Sequence, residues 1–255
     1  MRLLVIAPAP VSVHLAGPGL RSLEIARQLA RDFEITLAVP QTVDIPIDEP
    51  FQVRTWTRQS VLRWLDVYDV VISPGMQYPA RGCVPTRRRR PVQIFDLYNP
   101  LLFEILTDGL RDERSTRSQL GHLRRLTALL LKRGDYFLCA SPQQRDLWVG
   151  ALYVCGRFGL HTRPGRLEDY IGIVPFGHNG AAPQATRRVL KGVYPGISTT
   201  DKVLLWGGGV WNWFDPLTLV RAMAAMGRER QDVKLFFMGT QPPHAPWAPN
   251  QMAHQ

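Results

Sequence analysis

Short, continuously apolar runs alternate along this chain with segments whose apolar residues recur at a helical period. Strands are predicted at residues 3–7, 33–39, 52–56, 69–73, 92–95, 136–140 and 171–174, and helices at residues 20–30, 59–65, 101–132 and 142–153. An apolar run without polar alternation is typical of a strand covered on both faces, as in a parallel sheet. We therefore predict an α/β fold built on a doubly wound, Rossmann-like parallel sheet.

The alternation is interrupted once and then resumes. Residues 176–201 are rich in glycine, proline, alanine and threonine, which predicts a linker with a short helical piece at residues 187–190. A strand at 203–206, a helix at 216–226 capped by Asp215 and a strand at 233–238 follow. We expect an N-terminal Rossmann-like domain over residues 1–175 and the start of a second over residues 202–255. Two strands are too few for an independent sheet domain, so the second is expected to be incomplete here.

Composition and charge narrow the class of protein. With 45% hydrophobic and 20% charged residues, the chain has a globular composition. Its formal net charge is +10, and arginine supplies all but four of the 31 basic residues, which favours nucleotides, phosphates, nucleic acid or an acidic membrane surface as partners. Three cysteines, an odd number, fit a reducing cytosol, and no apolar run predicts a membrane-spanning helix. The scattered histidines form no metal or hydrolase motif, so no metal is expected.

Basic side chains are concentrated in residues 87–133. From Arg111 onward they fall at helical spacing opposite a row of leucines, which describes an amphipathic basic helix. Such a face suits an anionic membrane surface. A solvated helix face without a partner is the alternative.

The predicted loop after the first strand contains Gly17, Pro18 and Gly19, followed by Arg21 and Glu24. In an open parallel sheet, ligands bind beyond the carboxyl ends of the strands, and glycine lets the backbone approach an anionic group at the start of a helix. The glycine spacing differs from that of the dinucleotide fingerprint. The alternative is a turn that needs glycine for steric reasons.

A second glycine segment follows the first strand of the second domain. Gly207, Gly208 and Gly209 precede Trp211, and Gly239 ends the next strand. Three consecutive glycines expose backbone N–H groups that can form an anion-binding concavity, and a nearby indole can stack on a base or sugar. Packing of the indole beneath the sheet edge is the alternative.

Asp96 stands at the carboxyl tip of the strand predicted at residues 92–95. A carboxylate in that position can contact a ligand hydroxyl or act as a base. The alternative is an N-cap for the following helix, although Asn99 lies in better register for that role.

Five segments, taken together, carry a family resemblance. They are GPGLRSLEIA at residues 17–26, FDLYNP at 95–100, CASPQQRD at 139–146, VPFG at 174–177 and LLWGGGVWNWFDP at 204–216. In these segments the chain resembles family 4 glycosyltransferases of the GT-B fold, particularly bacterial members that act in cell-surface polysaccharide synthesis. The resemblance extends over essentially the whole chain.

The resemblance implies a retaining glycosyltransferase that moves a sugar from a nucleotide-sugar donor to a surface-glycan or lipid-linked acceptor, without a metal or other cofactor. Asp96, the catalytic candidate from its position at a strand tip, stands where many members of the family place a histidine. Arg21 and Glu24 are expected as acceptor or phosphate contacts. The implied donor-binding residues are Gly17, Gly19, Gly207, Gly208, Gly209, Trp211 and Gly239. The expected location is the cytoplasm, peripherally at the inner face of the cell membrane.

Two further expectations concern activity and an alternative function. The acidic Glu-x7-Glu element of the family does not occur in the second domain of this sequence, so the chain by itself is expected to be inactive or impaired. The alternative is a non-catalytic, basic Rossmann-like module that binds polyphosphate, nucleic acid or an anionic membrane. Nucleic acid is the weaker of these partners, because no aromatic stacking platform is interleaved with the basic residues.

Overall fold

The computed structural model describes residues 1–11, 17–40, 49–75, 90–107, 112–158, 166–177, 182, 184–210 and 214–239. The chain divides into two compact units, the first of which ends at Gly177. Each unit contains its own parallel sheet.

The first unit is a seven-stranded sheet with helices between its strands. Its strands are β1 (Arg2–Ile6), β2 (Glu34–Val39), β3 (Gln52–Thr55), β4 (Val70–Pro74), β5 (Val92–Asp96), β6 (Tyr136–Cys139) and β7 (Ile171–Ile173). Its helices are α1 (Gly17–Leu29), α2 (Arg58–Trp64), α3 (Leu101–Thr107), α4 (Glu113–Arg133) and α5 (Pro142–Val154), with a 3-10 turn at Leu167–Asp169. All neighbouring strands pair in parallel, in the order β3-β2-β1-β4-β5-β6-β7. The predicted α/β, Rossmann-like parallel sheet is confirmed.

Burial on both faces explains why the strand sequences are continuously apolar. Along β1, Leu3 and Val5 pack in a cluster with Leu23 of α1. Leu4 and Ile6 point to the opposite face, into a cluster that α2 covers. Since successive side chains of a strand alternate between faces, a strand with helices on both sides must be apolar at every position.

A third cluster fills the space between the far half of the sheet and the helices α4 and α5. Phe95 of β5 and Phe137 of β6 stack with ring centroids 6.3 Å apart, and Leu130 of α4 and Trp148 of α5 close over them. This cluster holds the C-terminal end of β5 in place, and the candidate functional residues lie at that end.

Two helix predictions need correction. The helical pattern predicted over residues 101–132 is two helices, because Asp112 has an extended backbone and its carboxylate accepts a hydrogen bond from the N–H of Ser115 at 2.9 Å, so that a new helix begins there. The helical piece predicted at residues 187–190 is also wrong. Residues 187–190 form bends without a helix, and turns follow, where the left-handed φ angles of Gly192 (73°) and Gly196 (82°) redirect the chain.

The second unit contains the parallel strands β8 (Lys202–Trp206) and β9 (Val233–Phe237), joined through the helix α6 (Pro216–Met226). Asp215 caps α6, as predicted, by accepting hydrogen bonds from the N–H and hydroxyl groups of Thr218. No helix in the described parts of either unit is both long and apolar enough to cross a membrane.

We expect Gly134→Ala to destabilise the first unit by about 1–3 kcal/mol through overpacking. Gly134 follows α4, and a Cβ there would lie 2.7 Å from Cδ2 of Phe95 and 2.8 Å from Cε1 of Phe137. Urea unfolding followed by circular dichroism measures the change. Gly121→Ala, within α4, is the control, because its added Cβ has no described heavy atom within 4 Å. This variant should gain roughly 0.5–1 kcal/mol in the free energy of unfolding. Equal stability of both variants would contradict this packing.

Candidate functional site

The candidate site lies at the carboxyl edge of the seven-stranded sheet. Strand β1 pairs with β2 on one side and β4 on the other, so the direction of winding reverses between β1 and β4. Ligands of open α/β sheets bind beyond the strand ends at such a reversal. Helix α1, which follows β1, places Arg21 at this edge, and β5 ends there in Asp96.

Arg21 and Asp96 form a buried, two-point ion pair. Nε of Arg21 lies 2.6 Å from Oδ2 of Asp96, and Nη2 lies 3.0 Å from Oδ1. Only 3% of the Arg21 side chain and 9% of the Asp96 side chain are exposed. The planar guanidinium matches the two carboxylate oxygens, which makes this the strongest type of charged hydrogen bond in proteins.

Arg21 also ties a second strand end to the pair. Its Nη1 donates to the carbonyl oxygen of Val174, just beyond β7, at 2.8 Å. The guanidinium carbon lies 4.8 Å from the ring centroid of Tyr98 and 5.2 Å from that of Phe176, and the two rings meet edge to face at 5.3 Å. Arg21 therefore fixes the ends of β5 and β7 to the first turns of α1.

Burial also shifts the proton equilibria of the acidic groups beside Arg21. Desolvation raises the pKa of Asp96, while the hydrogen bonds and charge of Arg21 and the N–H of Tyr98 act in the opposite direction. Burial, with the nearby charge of Asp96, raises the pKa of Tyr98 far above its usual value. The phenol therefore stays protonated at neutral pH and keeps a proton to donate.

Helix α5 holds the segment after β5 from the other side. Nε2 of Gln144 donates to the carbonyl oxygen of Tyr98 at 2.7 Å, and Oε1 accepts from the N–H of Ala140 at 2.8 Å. Nε1 of Trp148 donates to the carbonyl oxygen of Leu97 at 3.1 Å. Because these bonds grip the backbone directly, the position of Asp96 depends on α5 as well as on α1.

Two buried donors at this edge have no acceptor among the residues that the structure describes. One is the hydroxyl of Tyr98, and the other is the Nε–H of Arg145 on α5. The Arg145 guanidinium has only distant acidic neighbours, Glu168 at 3.5 Å and Asp146 at 3.6 Å. A buried polar group without a partner is rare in a folded protein and often marks the place of a ligand.

The two glycines predicted for the first loop belong instead to a helix. Gly17 and Gly19 are in the first turn of α1, which starts three residues earlier than the apolar period indicates. A Cβ on Gly17 would meet no heavy atom within 4 Å, and its φ is not left-handed, so sterics among the described residues do not explain this glycine. Glu24 accepts a hydrogen bond from Arg27 at 2.6 Å, and Arg27 also binds Glu49. The ion pair that Glu24 forms is therefore separate from that of Arg21 and Asp96.

The glycines of the second unit follow β8 directly. Nε1 of Trp206 donates to the carbonyl oxygen of Gly209 at 3.1 Å and holds the segment against the strand end. Among the described residues, none lies within 4 Å of a Cβ placed on Gly207 or on Gly239, and a Cβ on Gly208 would make only an ordinary contact, 3.9 Å from Phe214. Trp211 lies outside the described residues.

Backbone strain marks the end of the same segment. Asp215 takes a left-handed conformation with φ 46° and ψ 59°, unusual for a residue other than glycine. Its two hydrogen bonds to Thr218 hold it there and lower the pKa of its carboxyl. Strained residues that the surrounding structure holds in place cluster at binding loops, which agrees with a ligand role for this segment.

Several residues of the site carry no signal of their own in the sequence. Tyr98, Gln144 and Phe176 lie in segments that carry the family resemblance, but neither their type nor their spacing predicts a role there. The ion pair does have a signal in the sequence. Arg21 lies on the face of a predicted helix that packs on the sheet, and a buried arginine requires an acidic partner.

The described residues contain no group of three or more histidine, cysteine, aspartate or glutamate side chains that could hold a metal ion. Burial raises the pKa of Cys139, so its thiol is not an activated nucleophile. No protein-family model matches this chain, and no curated protein matches its sequence.

Proposed function

We propose that the chain is a retaining glycosyltransferase of the GT-B type, which binds a nucleotide-sugar and transfers the sugar to a surface-glycan or lipid-linked acceptor. The proposal combines the resemblance of the five segments with a Rossmann-like sheet and a second parallel β–α–β unit. In this proposal no metal takes part, and the enzyme works at the cytoplasmic face of the membrane.

The observation that carries the proposal is a pair of buried donors at the carboxyl edge that have no hydrogen-bond acceptor among the described residues. The Tyr98 hydroxyl and the Arg145 Nε–H are suited to hydroxyl and phosphate oxygens, the two acceptor types of a nucleotide-sugar. A departing nucleotide diphosphate gains negative charge in the transition state, and fixed donors and cations stabilise that charge. Arg21 holds the carboxylate of Asp96, the catalytic candidate, two residues before Tyr98.

Glycines without a structural requirement give independent support. Gly17, Gly207 and Gly208 have neither a left-handed φ nor, among the residues that the structure describes, a neighbour that a Cβ would strike. Glycine outside those two situations is expected where a ligand approaches the backbone closely. Donor contacts at the start of α1 and after β8 fit this role.

A matching nucleotide-sugar should raise the melting temperature of the purified chain, and Gly208→Val should abolish the rise. At a concentration of about 100 times Kd, binding contributes about 2.7 kcal/mol, or roughly 5–10 °C for a chain of this size. The branched side chain would stand where the donor approaches. Differential scanning fluorimetry with a panel of uridine, guanosine, adenosine and thymidine diphosphate sugars measures both effects.

Gly150→Ala is the matched glycine replacement outside the site, because its added Cβ has no heavy atom within 4 Å. It should keep the full ligand-induced rise. If no donor in the panel raises the melting temperature, the proposal fails. Stabilisation by polyphosphate or RNA alone, lost with added salt, would instead favour the non-catalytic basic module.

A further inference from the structure

A large apolar groove lies in the first unit, among the helices that cover the β5–β7 half of the sheet. It has a volume of 1040 Å³ and is bounded by α3, α4 and α5. We call it the α3–α5 groove. Its apolar walls include Leu102, Phe103 and Leu106 of α3, Leu120 of α4, and Leu147 and Val154 of α5. Ligand pockets typically have volumes of roughly 300–1,000 Å³, so this groove can hold a long apolar group.

The apolar side chains along the groove are unusually exposed. Phe103 is 50% exposed, Leu106 56% and Val154 83%. Large apolar side chains grouped on neighbouring elements mark surfaces that bind another apolar body.

Two helix glycines widen this groove. Gly121 of α4 and Gly150 of α5 both line it, and a Cβ on either would meet no heavy atom within 4 Å. Neither has a left-handed φ. Glycine in a helix interior is unfavourable relative to alanine, and no packing or conformational demand among the described residues offsets that here. Their shared effect is a deeper groove.

Cations border the same groove. Arg117 and Arg124 of α4 line it on either side of Gly121, one helical turn away in each direction. Within the described part of the chain Arg117 pairs with Glu113 alone, and both are at least 80% exposed, so the pair is weak. Arg124 and its neighbour Arg125 form no ion pair with any residue that the structure describes. An anion can therefore approach this wall of the groove.

We propose that the α3–α5 groove takes an acyl chain of an anionic phospholipid from a membrane surface, with the lipid phosphate between Arg117 and Arg124. An apolar cavity with cations at its mouth is complementary to a lipid that has an anionic head and an apolar tail. The sequence predicts only a basic helix face for membrane attachment, whereas the groove adds a place for one chain. This proposal does not depend on glycosyl transfer.

Flotation of the full chain with vesicles tests the proposal. Wild type should bind vesicles of phosphatidylglycerol mixed with phosphatidylcholine and should not bind pure phosphatidylcholine. Gly121→Leu fills the groove between the two arginines without removing a charge, and should weaken binding by at least about tenfold, since each methylene kept in water lowers affinity. Its melting temperature should not fall, because leucine favours the helix.

Two variants serve as controls. Gly121→Ala gains helix propensity but leaves the groove open, and should bind vesicles as wild type does. Arg133→Gln removes a cation on α4 that does not line the groove, and should weaken binding by roughly fivefold through charge alone.

Three outcomes would overturn the proposal. The first is no binding of wild type to phosphatidylglycerol vesicles. The second is equal vesicle binding by Gly121→Leu and wild type, which would leave only a charged helix face. The third is a dimer that Gly121→Leu disrupts, seen by light scattering without vesicle binding, which would make the groove a contact between two copies of the chain.

Discussion

Arg21→Met should destabilise the first unit by about 3–5 kcal/mol at pH 8, because it leaves the carboxylate of Asp96 buried without its counter-ion. Methionine keeps an unbranched, apolar side chain against the rings of Tyr98 and Phe176. Both hydrogen bonds to Asp96 and the bond to the Val174 carbonyl are lost. Urea unfolding measures the loss.

The deficit of Arg21→Met should be smaller at pH 5 than at pH 8. Burial already raises the pKa of Asp96, and without Arg21 the two largest opposing effects disappear, so the pKa rises further. A carboxyl whose pKa is higher in the folded than in the unfolded state favours folding below its unfolded pKa. That contribution is lost as the pH rises through the folded pKa. The protonated, neutral Asp96 of the variant is tolerated at low pH.

Asp96→Asn provides the opposite case. It leaves the guanidinium of Arg21 buried with a neutral partner, and arginine does not lose its proton between pH 5 and pH 8. Asp96→Asn also removes the titration of Asp96, whose raised pKa favours the folded wild type at low pH. Its deficit should therefore not shrink at pH 5. The double variant should lose less than the sum of the two single variants, with a coupling of roughly 0.5–3 kcal/mol. Additive losses with no pH dependence in either single variant would show that the pair contributes nothing.

The local pattern predicts most elements of this fold because the physical cause of each is local. A strand between two helix layers must be apolar at every position, as at residues 3–6. Ser141 before Pro142 predicts the start of α5, and the Ser141 hydroxyl accepts from the N–H of Gln144 at 3.2 Å. The break between α3 and α4 also has a local cause, because aspartate, as at Asp112, is a typical N-cap residue.

Assembly of the site depends on strand order, which local patterns do not encode. Arg21 and Asp96 are 75 residues apart, and each was predicted as a site residue on its own. Their pairing requires β4 and β5 to lie on the far side of β1 from β2, so that α1 faces the tip of β5. Glu24, three residues from Arg21, pairs instead with Arg27, one turn further along α1, which also binds Glu49.

The second large effect is expected at Trp148, which is 6% exposed and joins α5 to the segment after β5. Trp148→Ala should destabilise the first unit by about 3–5 kcal/mol, since it opens a cavity in the core and removes the donor to the Leu97 carbonyl. Trp148→Phe keeps most of the ring volume and deletes the donor, so its loss should be about 1–3 kcal/mol. Tyr153→Ala, on the same helix at 69% exposure, should stay within about 0.5 kcal/mol of wild type.

The hydrogen bond of Trp148 should also control local opening around Asp96. The N–H of Leu97 donates to the carbonyl oxygen of Leu138 at 2.7 Å, and the carbonyl oxygen of Leu97 accepts from the indole N–H of Trp148. With the indole donor deleted in Trp148→Phe, amide exchange at Leu97 should accelerate more than exchange at Val5 in β1, because only the first opens locally. Hydrogen exchange followed by NMR separates the two. Uniform acceleration across both strands would mean that Trp148 stabilises the core as a whole and does not position Asp96.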